Sequence, residues 1–151
     1  MSTIITFVDV DVPVRTAYNQ WTQFEDFPKF MLGVKEVRQL DDRHLHWKAE
    51  IGGREKEWDA EIIEQMPDQR IAWKSVDGAL NKGIVTFEPL SDEKSRVQVN
   101  IAYAPEGVTE TVGDETGAVT LRVKKDLERF KEFIELRNHE TGAWRGEVQS
   151  E

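Results

Sequence analysis

Aromatic side chains with polar tips recur in the middle of this chain, and they are the residues best suited to chemistry. Trp47, Trp58, Trp73 and Tyr103 each lie in a segment where apolar and polar residues alternate. Indole and phenol rings combine a large apolar surface with one hydrogen-bonding group, so they suit the wall of a cavity for a small molecule. The same rings equally suit a packed hydrophobic core, and the sequence leaves both interpretations open.

Two basic residues precede one of these tryptophans. Arg54 and Lys56 have the same strand parity as Trp58, so they could reach the rim of such a cavity. A guanidinium there would hold a carboxylate or a polarised carbonyl. Both residues also fit a hairpin whose long side chains extend into solvent. Tyr103 could offer its hydroxyl to a ligand or close the core.

Other ionisable residues make weaker candidates. His44 and His46 are two residues apart, a spacing that can bind a metal, but no third ligand is apparent and both are predicted on a polar face. Asp59 and Glu61 share that kind of face. The sequence contains no Ser–His–acid set, phosphate-binding loop or dinucleotide-binding motif. We therefore predict no metal and no cofactor, and we assign no catalytic residue.

The tryptophans belong to a series of predicted strands. Alternation of apolar and polar residues runs from residue 3 to residue 12 and returns at Val34 for about 70 residues. Turn signals such as Asp41–Asp42, Gly52–Gly53 and Pro67–Asp68 divide the second stretch, and a longer loop is predicted over Val76–Lys82. The pattern predicts seven strands, six of them in consecutive antiparallel hairpins, with one apolar and one polar face.

Helices are predicted on either side of the hairpin series. Apolar residues at helical spacing around Trp21 and Phe27, interrupted by Pro28, predict two short helices after the first strand. A longer helix is predicted in the last third, where one apolar stripe contains Val112, Thr116, Val119, Val123, Leu127, Phe130 and Ile134. At 1.5 Å per residue this helix would be roughly 37 Å long, enough to cross the sheet. Residues 1–137 are predicted to form one domain, followed by a polar, flexible tail over residues 138–151.

The apolar face of the sheet is expected to lie against the long helix. Strand parity and the helical stripe give eight candidate ligand-binding residues on or beside these two surfaces: Trp47, Arg54, Trp58, Trp73, Phe87, Tyr103, Val119 and Val123.

Charge and composition restrict the partners. The formal net charge is −9, with 29 acidic and 20 basic residues, so a nucleic-acid backbone or an anionic lipid surface would be repelled. The absence of cysteine excludes disulfides and thiolate metal sites and fits a cytoplasmic protein. Neither a signal-peptide pattern nor a membrane-spanning apolar run is present. We expect a cytoplasmic protein without a nucleic-acid partner or stable membrane insertion, and the oligomeric state is left open.

The order of elements and several segments resemble a known superfamily. The segments are VDVDVPVRTAYNQWTQFEDFPKFM (8–31), REKEWDAEIIEQMPDQRIAWKS (54–75), KGIVTFEPL (82–90) and DLERFKEFIE (126–135). They are similar to the START-like, or SRPBCC, superfamily of birch-pollen allergens and START lipid-transfer domains, and within it to the bacterial polyketide cyclase/dehydrase and lipid-transport branch. Ala17 and Trp21 followed by Phe27 and Pro28 match the strand-to-helix entry of that branch.

The resemblance implies an α+β helix-grip fold, in which a curved seven-stranded antiparallel sheet closes around a long C-terminal helix. It also implies a cavity that bulky rings line, near one end of that helix. Members include ligand carriers, hormone receptors, aromatase/cyclases and a ubiquinone-linked group, so the fold alone does not choose a function.

Three functional hypotheses follow. The first is a carrier or binding protein for a hydrophobic small molecule of the lipid, polyketide or isoprenoid type. The second is an enzyme, a polyketide aromatase/cyclase-dehydratase that folds a poly-β-ketone into a reactive pose, with Arg54 and Tyr103 polarising carbonyls or moving protons. The third is a protein-interaction module that uses the acidic outer face or the tail around Trp144. The sequence does not decide between enzyme and carrier.

Overall fold

The computed structural model describes residues 2–51, 54–78, 81–103 and 113–148, with residues 2, 51 and 113–119 described by their backbone alone. Ten elements follow one another: β1 (Ser2–Val10), α1 (Val14–Trp21), a 3₁₀ helix (Phe24–Lys29), β2 (Val34–Gln39), β3 (His44–Ile51), β4 (Arg54–Met66), β5 (Arg70–Gly78), β6 (Asn81–Ser91), β7 (Lys94–Tyr103) and α2 (Gly113–Arg137). The predicted Gly52–Gly53 turn and the first residue of the predicted helix stripe, Val112, lie outside the described residues.

The seven strands form one antiparallel sheet in the order β1-β7-β6-β5-β4-β3-β2. The hairpins from β2 to β7 make the predicted meander, and β1 closes the other edge by pairing with β7 from Ser2 opposite Tyr103 to Val10 opposite Ser95. The sheet is curled into a half-barrel that holds α2, so the predicted α+β helix-grip fold is confirmed.

The predicted Val76–Lys82 loop is wrong in one respect, because both flanking strands continue into it. β5 extends to Gly78 and β6 begins at Asn81. Gly78 has a φ of +88°, and a Cβ there would lie 2.8 Å from the Cα of Trp58. Only glycine tolerates that backbone and that approach, so the Asp77–Gly78 pair ends a strand that is irregularly paired with β4.

An aromatic core fills the half of the concave face that is covered by the first two helices. We use this name for Tyr18, Trp21, Phe24, Phe27, Phe30, Phe87 and Phe130, whose exposed fractions are all 6% or less. Trp21 lies at the centre, and its ring centroid is 4.9 Å from that of Phe130 and 5.4 Å from that of Phe27. The rings come from α1, the 3₁₀ helix and its C-cap Phe30, β6 and α2, so the core is enclosed from several directions.

The segment after α2 lies against α1 and β4. Glu140 accepts a hydrogen bond from Asn19 at 2.7 Å, the Trp144 N–H donates to the Thr22 hydroxyl at 3.1 Å, and Val148 exchanges backbone hydrogen bonds with Gln65. The single domain over residues 1–137 and the flexibility of the tail stay predictions. The contacts over residues 138–148 would oppose that motion.

Candidate functional site

A second group of rings occupies the other half of the concave face, where the β3–β4 and β5–β6 hairpins and the end of β7 meet. We call Trp47, Trp58, Trp73 and Tyr103 the indole end. All four belong to strands, and all four are half-buried. Strand parity predicts them on the apolar face. In the structure Trp47 stacks on Trp58, and Trp73 and Tyr103 each neighbour Asn81.

Trp47 and Trp58 face each other across β3 and β4. They are directly opposite in register, with ring centroids 5.6 Å apart and planes inclined by only 10°. Trp47 also lies 5.6 Å from Phe27, so a column of rings leads from the aromatic core to Trp58. Both indole Nε1 atoms are buried, and neither has a hydrogen-bond partner among the described residues.

The position of the Trp73 ring depends on a hydrogen bond and on the absence of a side chain at Gly83. Its Nε1–H donates to the Asn81 side-chain oxygen at 3.0 Å, and the Asn81 backbone N–H donates to the Ser75 hydroxyl at 3.0 Å. A Cβ on Gly83 would lie 2.6 Å from the Trp73 ring and 2.8 Å from the Asn100 carbonyl oxygen. Gly83 therefore leaves the space that the indole occupies. Strand parity does not predict Asn81, Ser75 and Gly83 as partners of this site, although a glycine inside an alternating strand signals such a close approach.

Tyr103 ends β7 directly opposite Asn81 of β6 and Ser2 of β1. Its hydroxyl is buried, and no described residue pairs with it. Among the described residues, three buried polar groups of the indole end therefore have no hydrogen-bond partner: the Nε1 atoms of Trp47 and Trp58 and the Tyr103 hydroxyl.

The other candidate residues are distributed differently. Phe87 is 6% exposed and packs edge-to-face on Tyr18 at 5.2 Å, so it belongs to the aromatic core. Val123 is partly buried against the same core, and Arg54 is exposed at the start of β4. The side chain of Val119 lies outside the described residues.

Helix α2 is held beside this region by polar contacts. Arg122 donates to the Glu50 backbone oxygen of β3 at 2.9 Å. One turn further on, Asp126 and Arg129 form an ion pair within α2 at 3.0 Å. A surface cleft of about 170 Å³ lies here, lined by Leu32, Gly33, Lys35, Glu50 and Arg122. Burial raises the pKa of Asp126 to about 6, against the opposing influence of Arg129, Arg122 and the Leu32 backbone N–H.

The two neighbouring histidines lie on the opposite, convex face. His46 contacts Asp59 at 2.6 Å and Glu57 at 2.9 Å, and hydrogen bonds to these carboxylates raise the pKa of His46. His44 contacts Asp41 at 2.9 Å. Within the described ranges no three acidic or histidine side chains are grouped as a metal site would require. In the same ranges, no helix is both long enough and apolar enough to cross a membrane.

Comparison with known proteins identifies relatives over nearly the whole chain. Residues 10–134 match the family described as "Polyketide cyclase / dehydrase and lipid transport". A protein of Streptomyces lincolnensis, named an uncharacterized 17.2 kDa protein in the melC2-rnhH intergenic region, is 52% identical over 149 residues, which are 98% of this chain and 99% of that protein.

Solved structures share the fold. A protein from Deinococcus radiodurans is 26% identical with a TM-score of 0.70, over 90% of this chain and 99% of that one. The Zhui aromatase/cyclase from a Streptomyces species is 12% identical with a TM-score of 0.77, over 95% and 99%. A START superfamily protein from Mycobacterium smegmatis is 17% identical with a TM-score of 0.74, over 87% and 98%.

Proposed function

Because the chain belongs to the polyketide cyclase/dehydrase and lipid transport family, we propose that it binds a hydrophobic small molecule between the sheet and α2, as a carrier or binding protein. The observation that supports this most is the indole end. Four large rings are half-buried there, two of them stacked on each other, while the neighbouring core buries rings of the same kind almost completely.

The energetic argument concerns apolar area. Removing apolar surface from water is favourable by about 25 cal/mol per Å². The rings of the aromatic core already contribute this free energy to folding, because helices and sheet cover them on several sides. Rings of the indole end keep part of their surface uncovered by the described residues. A ligand of lipid, polyketide or isoprenoid type would cover that surface and gain the remaining free energy.

The shape of the site also suits such a ligand. The column from Phe27 through Trp47 to Trp58 supplies a continuous aromatic wall, and the partly buried Ile101 and Val123 supply aliphatic surface from β7 and α2. Ionisable groups near it, such as Arg54, lie at its rim, where they are exposed. An apolar molecule can therefore enter without burying a charge.

The test is to look for a bound molecule and then to map it. Native mass spectrometry of protein purified from its host should show a co-purified apolar compound, and titration with a panel of fatty acids and polyphenols should change the tryptophan fluorescence. We expect Trp58→Ala to weaken binding of the best compound at least tenfold.

Phe7→Ala provides the matched control for that experiment. Phe7 is a 51% exposed aromatic residue on the convex face, with the Arg96 guanidinium 4.5 Å from its ring centroid. This variant should bind as the parent protein does. Absence of any co-purified compound, together with no fluorescence change over the whole panel, would refute the proposal.

An aromatase/cyclase is the second candidate, and one observation favours it. The buried, unpaired hydroxyl of Tyr103 could donate a hydrogen bond to a ketone oxygen and so promote enolisation and ring closure. Arg54, the other predicted participant, is exposed. With a poly-β-ketone substrate, Tyr103→Phe and Arg54→Ala should each abolish ring closure and leave the fold intact. Unchanged product profiles in both variants would refute this version of the enzyme hypothesis, in which Tyr103 and Arg54 act on the substrate.

A further inference from the structure

The segment that follows α2 lies in a groove on the outside of the fold. We call residues 138–148 the strap. The family match ends at residue 134 and α2 ends at Arg137, so the strap lies beyond both. It contacts α1, the 3₁₀ helix, β4 and the β4–β5 turn. We call the contacted surface the strap groove; it consists of Asn19, Gln20, Thr22, Asp26, Gln65 and Asp68.

Helix α1 is buried on its polar side as well as on its apolar side. Ala17 and Trp21 belong to the hydrophobic core, yet Asn19 and Gln20 are also only 2% and 0% exposed. A short amphipathic helix normally leaves its polar side to water. Here the strap covers that side: Gln20 donates to the Thr141 hydroxyl at 3.1 Å and accepts from the Thr141 backbone N–H at 2.9 Å. The groove therefore recognises both the side chain and the backbone of the strap.

Arg145 makes the charged contacts of the strap. Its guanidinium donates to the Asn19 side-chain oxygen at 2.6 Å and to the Asp68 carboxylate at 2.8 Å, and it lies 5.6 Å from the centre of the Tyr18 ring. Hydrogen bonds that involve a charged group are roughly twice as strong as neutral ones. Arg145 is therefore the strap residue on which recognition should depend most.

The contact between strap and groove is largely polar, so both surfaces can be hydrated when they separate. The strap contributes three polar and two apolar side chains: Glu140, Thr141, Arg145, Trp144 and Val148. Polar contacts of this kind replace hydrogen bonds to water at a small net gain. Gln65 Nε2 and Asp68 Oδ1 are buried without a partner among the described residues, which reduces that gain further. The strap can therefore open locally while the aromatic core stays folded.

A short hinge joins the strap to α2. Asn138 and His139 are the two residues between Arg137 and the first groove contact, at Glu140. Asn138 has a φ of +60°, a left-handed backbone that residues other than glycine seldom adopt. Short, strained hinges favour the exchange of a terminal segment between two copies of a chain, because an extended hinge relieves the strain. We propose that the strap groove is an interaction surface for the strap of a second copy, which makes the same contacts there.

Substitutions at the hinge test this exchange in the full chain. Asn138→Val disfavours the left-handed turn, because a β-branched residue is strongly strained at positive φ, whereas Asn138→Gly relieves it. We expect at least about a tenfold stronger dimer for Asn138→Val than for Asn138→Gly, measured by analytical ultracentrifugation over a range of protein concentrations. Adding Arg145→Ala to Asn138→Val should return the dimer to the level of the glycine variant, because strap contacts hold it together.

A labelled peptide with the sequence of residues 138–148 tests recognition without the hinge. It is titrated into the full-length Arg145→Ala variant, whose own strap is loosened. We expect this variant to bind the peptide about tenfold more tightly than the parent does, since the charged hydrogen bonds of its own strap no longer compete. Lys124→Ala removes an exposed positive charge from the first half of α2, and this control should behave as the parent. Thr141→Val loosens the strap independently and repeats the test if Arg145→Ala fails to fold.

Two results together support the proposal: a dimer that is stronger in Asn138→Val, and a peptide that loses at least about tenfold in affinity when its own Arg145 is replaced by alanine. Equal dimer strength in the valine and glycine variants overturns the proposal, whatever the peptide does. Equal binding of the native and the alanine-substituted peptide also overturns it. These outcomes leave the proposed hydrophobic site untouched, because that site lies between the sheet and α2 and is tested with apolar compounds.

Discussion

The aromatic core and the indole end are built from the same residue types on the same face of one sheet, yet only the first is closed. Trp21 in the core is 5% exposed and contacts four rings, with centroid distances from 4.9 to 6.3 Å. Trp58 at the indole end contacts one ring at 5.6 Å. The core draws its rings from three helices and the sheet, whereas every ring of the indole end comes from the sheet. The same residue types occur in both regions. Rings contributed by helices and sheet together form a closed core, whereas rings contributed by the sheet alone stay partly exposed.

The largest expected effect is in the core. Phe130 is fully buried on α2, with its ring 4.9 Å from Trp21 and 5.2 Å from Phe30. Phe130→Ala should lower the free energy of unfolding by about 4 kcal/mol, because it removes a large ring and leaves a cavity. Denaturant unfolding measures the loss, with the exposed Phe7→Ala as a control that should change stability by less than about 1 kcal/mol. A loss below about 1 kcal/mol for Phe130→Ala would mean that the core is not closed.

The next effect depends on pH and concerns Asp126, on α2 just before Leu127 and Phe130. Its side chain is 13% exposed, and its pKa is raised from 3.8 to about 6. The folded protein then binds a proton that the unfolded chain releases at lower pH. Stability from this group is therefore complete below about pH 4 and is lost as the pH rises through 6, by about 3 kcal/mol in total.

Asp126→Asn should remove that loss. The variant should be more stable than the parent by about 2–3 kcal/mol at pH 8 and similar to it at pH 4. Unfolding curves between pH 4 and pH 8 measure this difference, and Glu128→Gln at an exposed position of the same helix should show none. If the parent and Asp126→Asn differ by the same amount at every pH, the burial of Asp126 does not have the consequence described.

A substitution at Gly83 tests the packing of Trp73 at the indole end. Gly83→Ala places a methyl group 2.6 Å from the Trp73 ring and 2.8 Å from the Asn100 carbonyl oxygen, and the backbone oxygen cannot move aside. We expect a loss of about 2 kcal/mol and a displaced indole, seen as a change in the Trp73 N–H resonance. Gly142→Ala is the control, because its methyl group would meet the end of the flexible Gln23 side chain. Equal, small losses in both variants would contradict the packing described around Trp73.

The smallest expected effect is the sharpest comparison of the two regions. Trp58→Phe should change stability by less than about 1 kcal/mol, because loss of an unpaired buried N–H offsets loss of ring contact. Trp21→Phe, the same substitution in the core, should cost about 2 kcal/mol. Thermal or denaturant unfolding of the two variants side by side measures the difference. Equal costs would show that the indole end is packed as tightly as the core.

Strand alternation carries most of the fold in this sequence. Seven strands, two short helices and a long helix are predicted from apolar spacing together with turn residues and proline. The period of two or of 3.6 residues indicates which face of each element is covered. Parity likewise predicts Trp47, Trp58, Trp73 and Tyr103 on one face. Their role in ligand binding stays a prediction, as does a cytoplasmic location.

Other features need the register between strands, which no single segment contains. Trp73 pairs with Gly83 and Asn81 only because β5 and β6 are aligned in one way, and Gly78 ends β5 by a local irregularity. Parity also gives the face of a residue and not its position along the strand. Phe87 therefore lies among the rings of the core, and Arg54 lies exposed at the start of β4.

The pairing of β1 with β7 has a consequence for how the chain folds during its synthesis on the ribosome. Residues 2–10 are synthesised some 90 residues before their partners in residues 95–103. At 5–20 residues per second that delay is about 5–20 s. During this delay β1 has no β7 to pair with. The side chains of Ile4 and Val10, which are buried in the folded protein, are then exposed and can contact other nascent chains. The β1–β7 pairing can therefore form only after all seven strands have been synthesised, and variants that weaken β7 should reduce the yield of folded protein in cells more than their equilibrium stability suggests.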